Sequence, residues 1–381
     1  MRFVWVLRTV LFAALGACDR TAGPSILARQ VVLPESAYLA LPVWALDDEA
    51  PACTIDADRC AAGIAAATTH VDGSIAFWGL DGKRSQLYRV DSVGRPLAIG
   101  RLGSGPGEYR FHLPMGFGPE GELLLADLAQ RRVMRYATDG RLLSTVEVPV
   151  AIGLFNAAFV DGKLLALATE VPRTRGDSMP VSIEALDDGA RQPRRLATLP
   201  VRRPGYAVSD LRPMPARHAA ADQYAFDSTG ALLTTTGAAL VVDRFDAAGA
   251  HVVRFGFDVT TPFVSDGELE EARGRALRGV NEPRMRRALE ESMQRPGSRL
   301  RHPAITRLMV AADGSIWVRG WPTSTDSVHW VVFSAAAEPL GRIILGDGDV
   351  VMDAREGRVL LARDEDASAF SGLRWSRLRR R

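Results

Sequence analysis

Residues 99–148 read IGRLGSGPGEYRFHLPMGFGPEGELLLADLAQRRVMRYATDGRLLSTVEV, and this stretch decides the fold. A short strand at 115–117 passes through a Gly turn into an apolar strand at 122–127. A third strand follows at 132–136 and, beyond the Asp139–Gly140 turn, a fourth at 141–148. Short apolar runs bounded by Gly and Asp-Gly turns, with no helical period, specify a four-stranded antiparallel meander.

The turn at Gly121 serves as a ruler for the rest of the chain. The same arrangement, an apolar strand ending just before a Gly turn and another beginning just after it, recurs at Gly73, Gly162, Gly230, Gly314 and Gly357. Successive turns are 48, 41, 68, 84 and 43 residues apart, and three of these intervals match the about 40–50 residues of a four-stranded propeller blade. The two long intervals carry insertions. Residues 201–217 (VRRPGYAVSDLRPMPAR) have no core periodicity and read as an extended loop. Residues 265–303 are the helical part: Ser265 and Glu268 form a capping box, and Glu268, Glu270 and Glu271 precede Arg273, Arg275 and Arg278. A second helix is predicted over 283–294.

The expected architecture is therefore all-β, a six-bladed β-propeller over 27–381 with a small helical insertion between blades 4 and 5. The last blade, built from 350 onward, 359–362 and 370–378, has only three strands of its own. Residues 27–33, with 38–46, are expected to complete it, which would remove an open sheet edge.

The segment Gly103-Ser104-Gly105-Pro106-Gly107-Glu108-Tyr109, followed by Pro114 and the LLLAD and RRVMRYATDG runs, carries a resemblance. Over about residues 64–378 the chain resembles six-bladed propellers of the NHL-repeat type, in their bacterial lipoprotein-like branch. That resemblance implies fold and is nearly silent on activity.

Composition supports a large core without staples: 381 residues, 47% of them apolar. Lys and Arg total 47 against 45 Asp and Glu, and Arg2 and Arg8 fall in the leader, so the mature chain is near neutral. This balance favours neither nucleic acid nor an anionic membrane as partner. Lys83 and Lys163 are the only lysines, a compositional bias and not a site.

Residues 1–17 have a positive start, an apolar run and a small-residue exit, the pattern of a secretory signal peptide. The sequence Leu15-Gly16-Ala17-Cys18 resembles the lipobox of bacterial lipoproteins. By that resemblance Cys18 is the lipid-attachment residue and 18–26 a polar tether. The protein would then sit in the bacterial envelope, facing the periplasm or the surface, with inner and outer membrane both open. Cys53 and Cys60, spaced C-x6-C in an exported chain, most simply form a disulfide.

The Gly-rich segment 100–107 does not read as a phosphate loop, because Pro106, Pro114 and Pro119 and further strands follow it, with no helix and no P-loop Lys. Asp127 with Arg131 and Arg132, and Glu108, Arg110 and His112 beside them, are expected to satisfy turns. No GxSxG elbow is present, and the six His (70, 112, 218, 251, 302, 329) are scattered. Trp317, Trp321 and Trp330 read as core, and 374–381 as a strand with a solvated basic end. Related propellers of the gluconolactonase and paraoxonase type hold Ca²⁺ through Asp, Glu and Asn. Here the only Asn are Asn156 and Asn281, and Asp72, Asp139, Asp161 and Asp313 occupy turn positions.

No catalytic, cofactor-binding or metal-binding residue is assigned, and no cofactor is expected. The reading is a non-catalytic binding or scaffolding propeller, lipid-anchored to the envelope. Its partner, a protein or small molecule and not a nucleic acid, would meet the 201–217 loop or the 265–303 insertion. The alternative is a Ca²⁺-dependent lactonase- or lyase-like hydrolase.

Overall fold

Gly73, Gly121, Gly230, Gly314 and Gly357 all turn with φ between 74° and 97°, a conformation that a Cβ would strain. The ruler of the sequence is thus a row of backbone reversals. The structure, a computed structural model, describes residues 29–52, 64–70, 72–81, 84–118, 120–148, 152–160, 163–169, 178–187, 193–204, 223–277, 301–320, 327–346, 348–355, 357–364 and 370–380, with 280, 282–284, 286, 287 and 290. The leader, Cys18, Cys53, Cys60, Gly162, Asn281 and Trp321 lie outside the described residues.

Around Gly121 the meander runs as read from sequence. His112–Phe117, Leu123–Asp127, Arg132–Tyr136 and Leu142–Glu147 pair antiparallel, each with its chain neighbour. Pairing over the whole chain gives four sheets of four or more strands, among the described residues, and not the six separate blades expected. The strand Val43–Pro51 accounts for the difference. Its first residues run parallel to Pro339–Gly346, and the rest runs antiparallel to Phe370–Arg380. Phe370 also pairs with Ile64. These joints merge the meanders of 305–346, 349–380 and 64–99 into one twelve-stranded sheet.

Apolar side chains fill the spaces between successive meanders. Leu87 and Ile99 pack with Leu123 and Met134, Val133 with Leu164, and Ile183 with Leu232. Phe255 packs with Phe333, Trp330 with Leu361, and Leu360 with Phe77, which returns to the start. The first strands lie innermost. Ile64–Thr69 touches His112–Phe117, which touches Ile152–Val160, and that strand touches Gln223–Phe226. Gln223–Phe226 meets Ile305–Val310, and Asp349–Arg355 closes back onto Ile64–Thr69. Trp317 and Trp330 are fully buried, as expected, and a buried side chain of this kind contributes at least ~1.5–3 kcal/mol.

The N-terminal strand lands elsewhere than expected. Arg29–Pro34 adds in parallel to His251–Asp258 as a fifth, outer strand, because Val31 and Leu33 pack onto the Phe255–Phe257 cluster. Residues Glu35–Leu39 are a helix and not a strand. Its Tyr38 stands edge-on to Phe257 at 5.6 Å and shares a 3.1 Å hydrogen bond with His329 Nδ1. The last meander is completed by Val43–Pro51, whose acids meet the basic C-terminal strand: Asp47 pairs with Arg379 at 3.2 Å, and Glu49 with Arg377 at 3.0 Å and Arg358 at 2.5 Å. The expected solvated basic end is thus a paired strand as far as Arg380. Trp44 lies so close to Gly341 that a Cβ there would sit 2.6 Å from its ring.

The insertion begins with the helix Asp266–Leu277, capped as read: Ser265 N and Oγ both donate to Glu268 Oε2, at 2.8 and 2.7 Å. Its neck is tied by Thr261 Oγ1, which donates to His302 O at 2.6 Å, and by His302 N, which donates to Pro262 O at 3.0 Å. The second predicted helix falls mostly outside the described residues, although 283, 284, 286, 287 and 290 are helical. Residues 201–204 end the strand Arg194–Pro204 and are not loop; 205–217 lie outside the described residues.

Candidate functional site

The polar cluster of the second meander is occupied with its own turn. Asp127 is fully buried, and its carboxylate accepts the N–H groups of Arg110, Phe111 and Gln130 at 3.2–3.4 Å and Gln130 Nε2 at 2.6 Å. Glu108 accepts Gly105 N and pairs with Arg101, both at 2.7 Å. Tyr109 Oη donates to Ile99 O at 2.8 Å. The Gly-rich segment is a locked turn between meanders. His112 is buried beside it, and burial lowers its pKa to about 4.

A repeated ion pair escaped the sequence reading. The penultimate residue of three third strands, in LYRV, VMRY and VDRF, is an Arg that reaches back to the acid of its own Gly turn. Arg89 meets Asp72 at 3.9 Å, Arg135 meets Glu122 at 3.0 Å and Arg244 meets Asp227 at 2.5 Å. Arg89 also donates to Gly121 O of the next meander at 2.7 Å, and Arg244 to Ala335 O at 2.7 Å. These arginines are joints between repeats; the recurring Arg followed by Val, Tyr or Phe was the available signal.

Different chemistry gathers where three first strands converge. Asp353, on Asp349–Arg355, is buried and reaches Ile64–Thr69: its Oδ2 accepts Thr69 N at 2.7 Å, Thr69 Oγ1 at 3.0 Å and Thr68 Oγ1 at 3.4 Å. Its Oδ1 accepts Ala354 N at 2.8 Å. Burial nevertheless raises its pKa to about 6, against the pull of those hydrogen bonds. Arg307, on Ile305–Val310, lies near enough to feel the Asp353 charge and stands directly across the ladder from Arg319. Burial, and then the Arg319 charge, lower its pKa to about 10.

Register irregularities between Ile305 and Arg307 and between Val351 and Asp353 set these side chains out of simple alternation. Among the described residues Arg307 has no hydrogen-bond or ion-pair partner. Two guanidiniums and one nearly spent carboxylate attract an anion and repel a divalent cation. Among the described residues no group of three or more His, Cys, Asp or Glu is placed to hold a metal. A second feature, an open cleft of about 370 Å³, lies where Val43–Pro51 diverges from Pro339–Gly346, with Trp44, Ile344, Asp349 and Arg374 on its walls.

The innermost first strands, packed face to face through the apolar clusters between them, fix the architecture. The fold is all-β and propeller-like. No family model matches the chain, and no curated protein matches it. Among solved structures, the propeller is similar to a member of the DUF4221 family from Bacteroides vulgatus ATCC 8482, at TM-score 0.51 and 10% identity over 89% of this chain and 99% of that one. It is also similar to a protein described as exported from Bacteroides fragilis NCTC 9343, at TM-score 0.49 and 12% identity over 93% and 99%. The β-propeller domain of the Trilobed protease from Pyrococcus furiosus follows at TM-score 0.43 and 11% identity, covering 83% of each chain. Likeness at these identities extends to the fold alone.

Proposed function

We propose that this chain is an exported, lipid-anchored binding propeller of the bacterial envelope, which holds a ligand at its innermost strands and does not turn it over. The observation that carries this reading is the charge there: Arg307, with no hydrogen-bond or ion-pair partner among the described residues, faces Arg319 across the ladder, and the oxygens of Asp353 are already engaged by Thr68, Thr69 and Ala354 N. A Ca²⁺-dependent hydrolase needs several oxygen ligands converging with a negative balance, so the charge favours binding over that alternative. The envelope address is supported by the leader and by the lipobox-like Leu15-Gly16-Ala17-Cys18, with lipid on Cys18 and a disulfide between Cys53 and Cys60. A count of six blades is supported by the three meanders within the twelve-stranded sheet and by the clusters that pass from meander to meander and back to the first. A protein partner would meet the 265–303 insertion, whose tied neck holds its capped helix on the propeller.

The test is metal analysis with a lactone and ester screen on the purified chain, alongside labelled-fatty-acid incorporation in cells. The reading expects label lost in Cys18→Ser and no chelator-sensitive hydrolysis. Turnover abolished by a chelator and restored by Ca²⁺ would overturn it.

A further inference from the structure

We infer that the convergence of the first strands is an oxyanion site, at which Arg307 and Arg319 bind a carboxylate or phosphate group of a small ligand. This rests on the binding reading above and names the ligand class.

Arg89, Arg135 and Arg244 each have a carboxylate of their own repeat, and Arg358, Arg377 and Arg379 have Glu49 or Asp47. Arg307 is the departure: it is partly buried, with no hydrogen-bond or ion-pair partner among the described residues. A guanidinium keeps its proton in proteins, so it cannot escape enclosure by neutralising. An enclosed cation without an anion is costly, and a second cation directly across the ladder adds repulsion.

Asp353 does not resolve this. It lies beyond ion-pairing distance of Arg307, and its four accepted hydrogen bonds tie it to Ile64–Thr69 and to its own strand. The depression of the Arg307 pKa by burial and by Arg319 is what a guanidinium short of an anion should show. A carboxylate or phosphate bound beside the Arg307 fork would satisfy its donors and offset its repulsion from Arg319. The site also has a built-in reporter, since Trp330 is the cross-strand neighbour of Arg319.

The experiment titrates the full-length purified chain with inorganic phosphate and, separately, with citrate, reading tryptophan fluorescence and heat, with chloride as the ionic-strength control. At least one probe is expected to bind saturably. Saturation by phosphate alone assigns a phosphate ligand, and by citrate alone a carboxylate ligand. Arg307→Gln should weaken binding by at least about tenfold, Arg319→Gln should weaken it as well, and the surface variant Arg254→Gln should leave it unchanged. Should Arg307→Gln fail to fold, Arg307→Lys keeps the charge and loses the planar fork, and an affinity lowered by about threefold or more is expected.

The inference is overturned if neither probe binds the folded wild-type chain, or if Arg307→Gln or Arg307→Lys binds as tightly as wild type. The two readings fail separately. Chelator-sensitive hydrolysis with anion binding intact removes the non-catalytic reading and leaves the site. No anion binding and no hydrolysis removes the site and leaves the binding propeller.

Discussion

In the second meander, 112–147, every strand pairs with its neighbour in the chain, and its polar groups satisfy turns of the same meander or of the Gly-rich segment just before it. At the seam, Val43–Pro51 pairs with Phe370–Arg380, more than 300 residues away in the chain. Both produce the same local product, an apolar ladder closed on one side by charge. They differ in what must be ordered first. The second meander closes short loops at low entropic cost, whereas the seam closes only once the strands between its two halves are in place. Local pairing therefore specifies the repeat, and the seam decides whether the repeats stay together.

The seam is most vulnerable at Trp44. It is buried at the seam and packs with Trp330, Ile343 and Leu361. Trp44→Ala should cost ~3–5 kcal/mol in chemical denaturation. The loss should be local in its dynamics: hydrogen exchange should rise in Val43–Pro51 and Phe370–Arg380 while 123–136 stays protected. Equal loss of protection in both regions would mean that the seam does not close separately from the meanders.

Two buried titratable residues, one in the second meander and one in the last, give the next test, with opposite signs. In the second meander the pKa of His112 is lowered from 6.5 to about 4 by burial, so the unfolded chain binds more protons between those values, and stability is lost as pH falls through them. On the innermost strand of the last meander the pKa of Asp353 is raised from 3.8 to about 6, so the folded chain binds more protons between those values, and stability is lost as pH rises through them. Each effect is worth roughly 3 kcal/mol by the pKa-to-energy conversion. His112→Phe should flatten the acid-side loss, and Asp353→Asn the loss between about pH 4 and 6, in melts run across that window. A matching slope change in both variants would sink the assignment.

The sequence made one of these regions far more legible than the other. The Gly turns could be read because a reversal with positive φ needs a residue type that stands out, and the Ser265–Glu268 cap could be read because both partners lie within four residues. The destination of the N-terminal strands could not. Residues 27–33 and 43–51 are both short and apolar enough to finish a sheet. What separates them is complementarity at a distance, Asp47 and Glu49 against Arg377 and Arg379, and Trp44 against Gly341. The candidate site was equally hidden. Arg307, Asp353 and Thr68 look like ordinary polar alternations, and only the register irregularities and the meeting of three first strands bring them together.

Gly341 tests that distant complementarity directly. Gly341→Ala places a methyl against the Trp44 ring and should cost ~1–3 kcal/mol by overpacking. Trp44 variants provide the control: Trp44→Phe should recover part of the loss in the double variant, a coupling measurable in a double-mutant cycle. Simple additivity would show that the two residues do not share the close contact described.

The smallest effect concerns the charges along the seam. Glu49 joins Arg358 and Arg377, and the Arg377 side chain is 70% exposed, so most of the attraction is screened. Glu49→Gln should lower stability by only ~0.5 kcal/mol. The diagnostic is its dependence on salt. A pair that pins the two ends of the chain should lose its contribution near ~1 M salt, where the screening length falls to about 3 Å. In the Gly-rich segment just before the second meander Glu108 offers the contrast, because it also accepts Gly105 N and its partner Arg101 is only seven residues away. Glu108→Gln should therefore act through the Gly-rich turn, with much less sensitivity to salt. If urea midpoints of the two variants respond to salt alike, charge plays the same part in both regions, and the closure of the propeller rests on Trp44 and the backbone ladder alone.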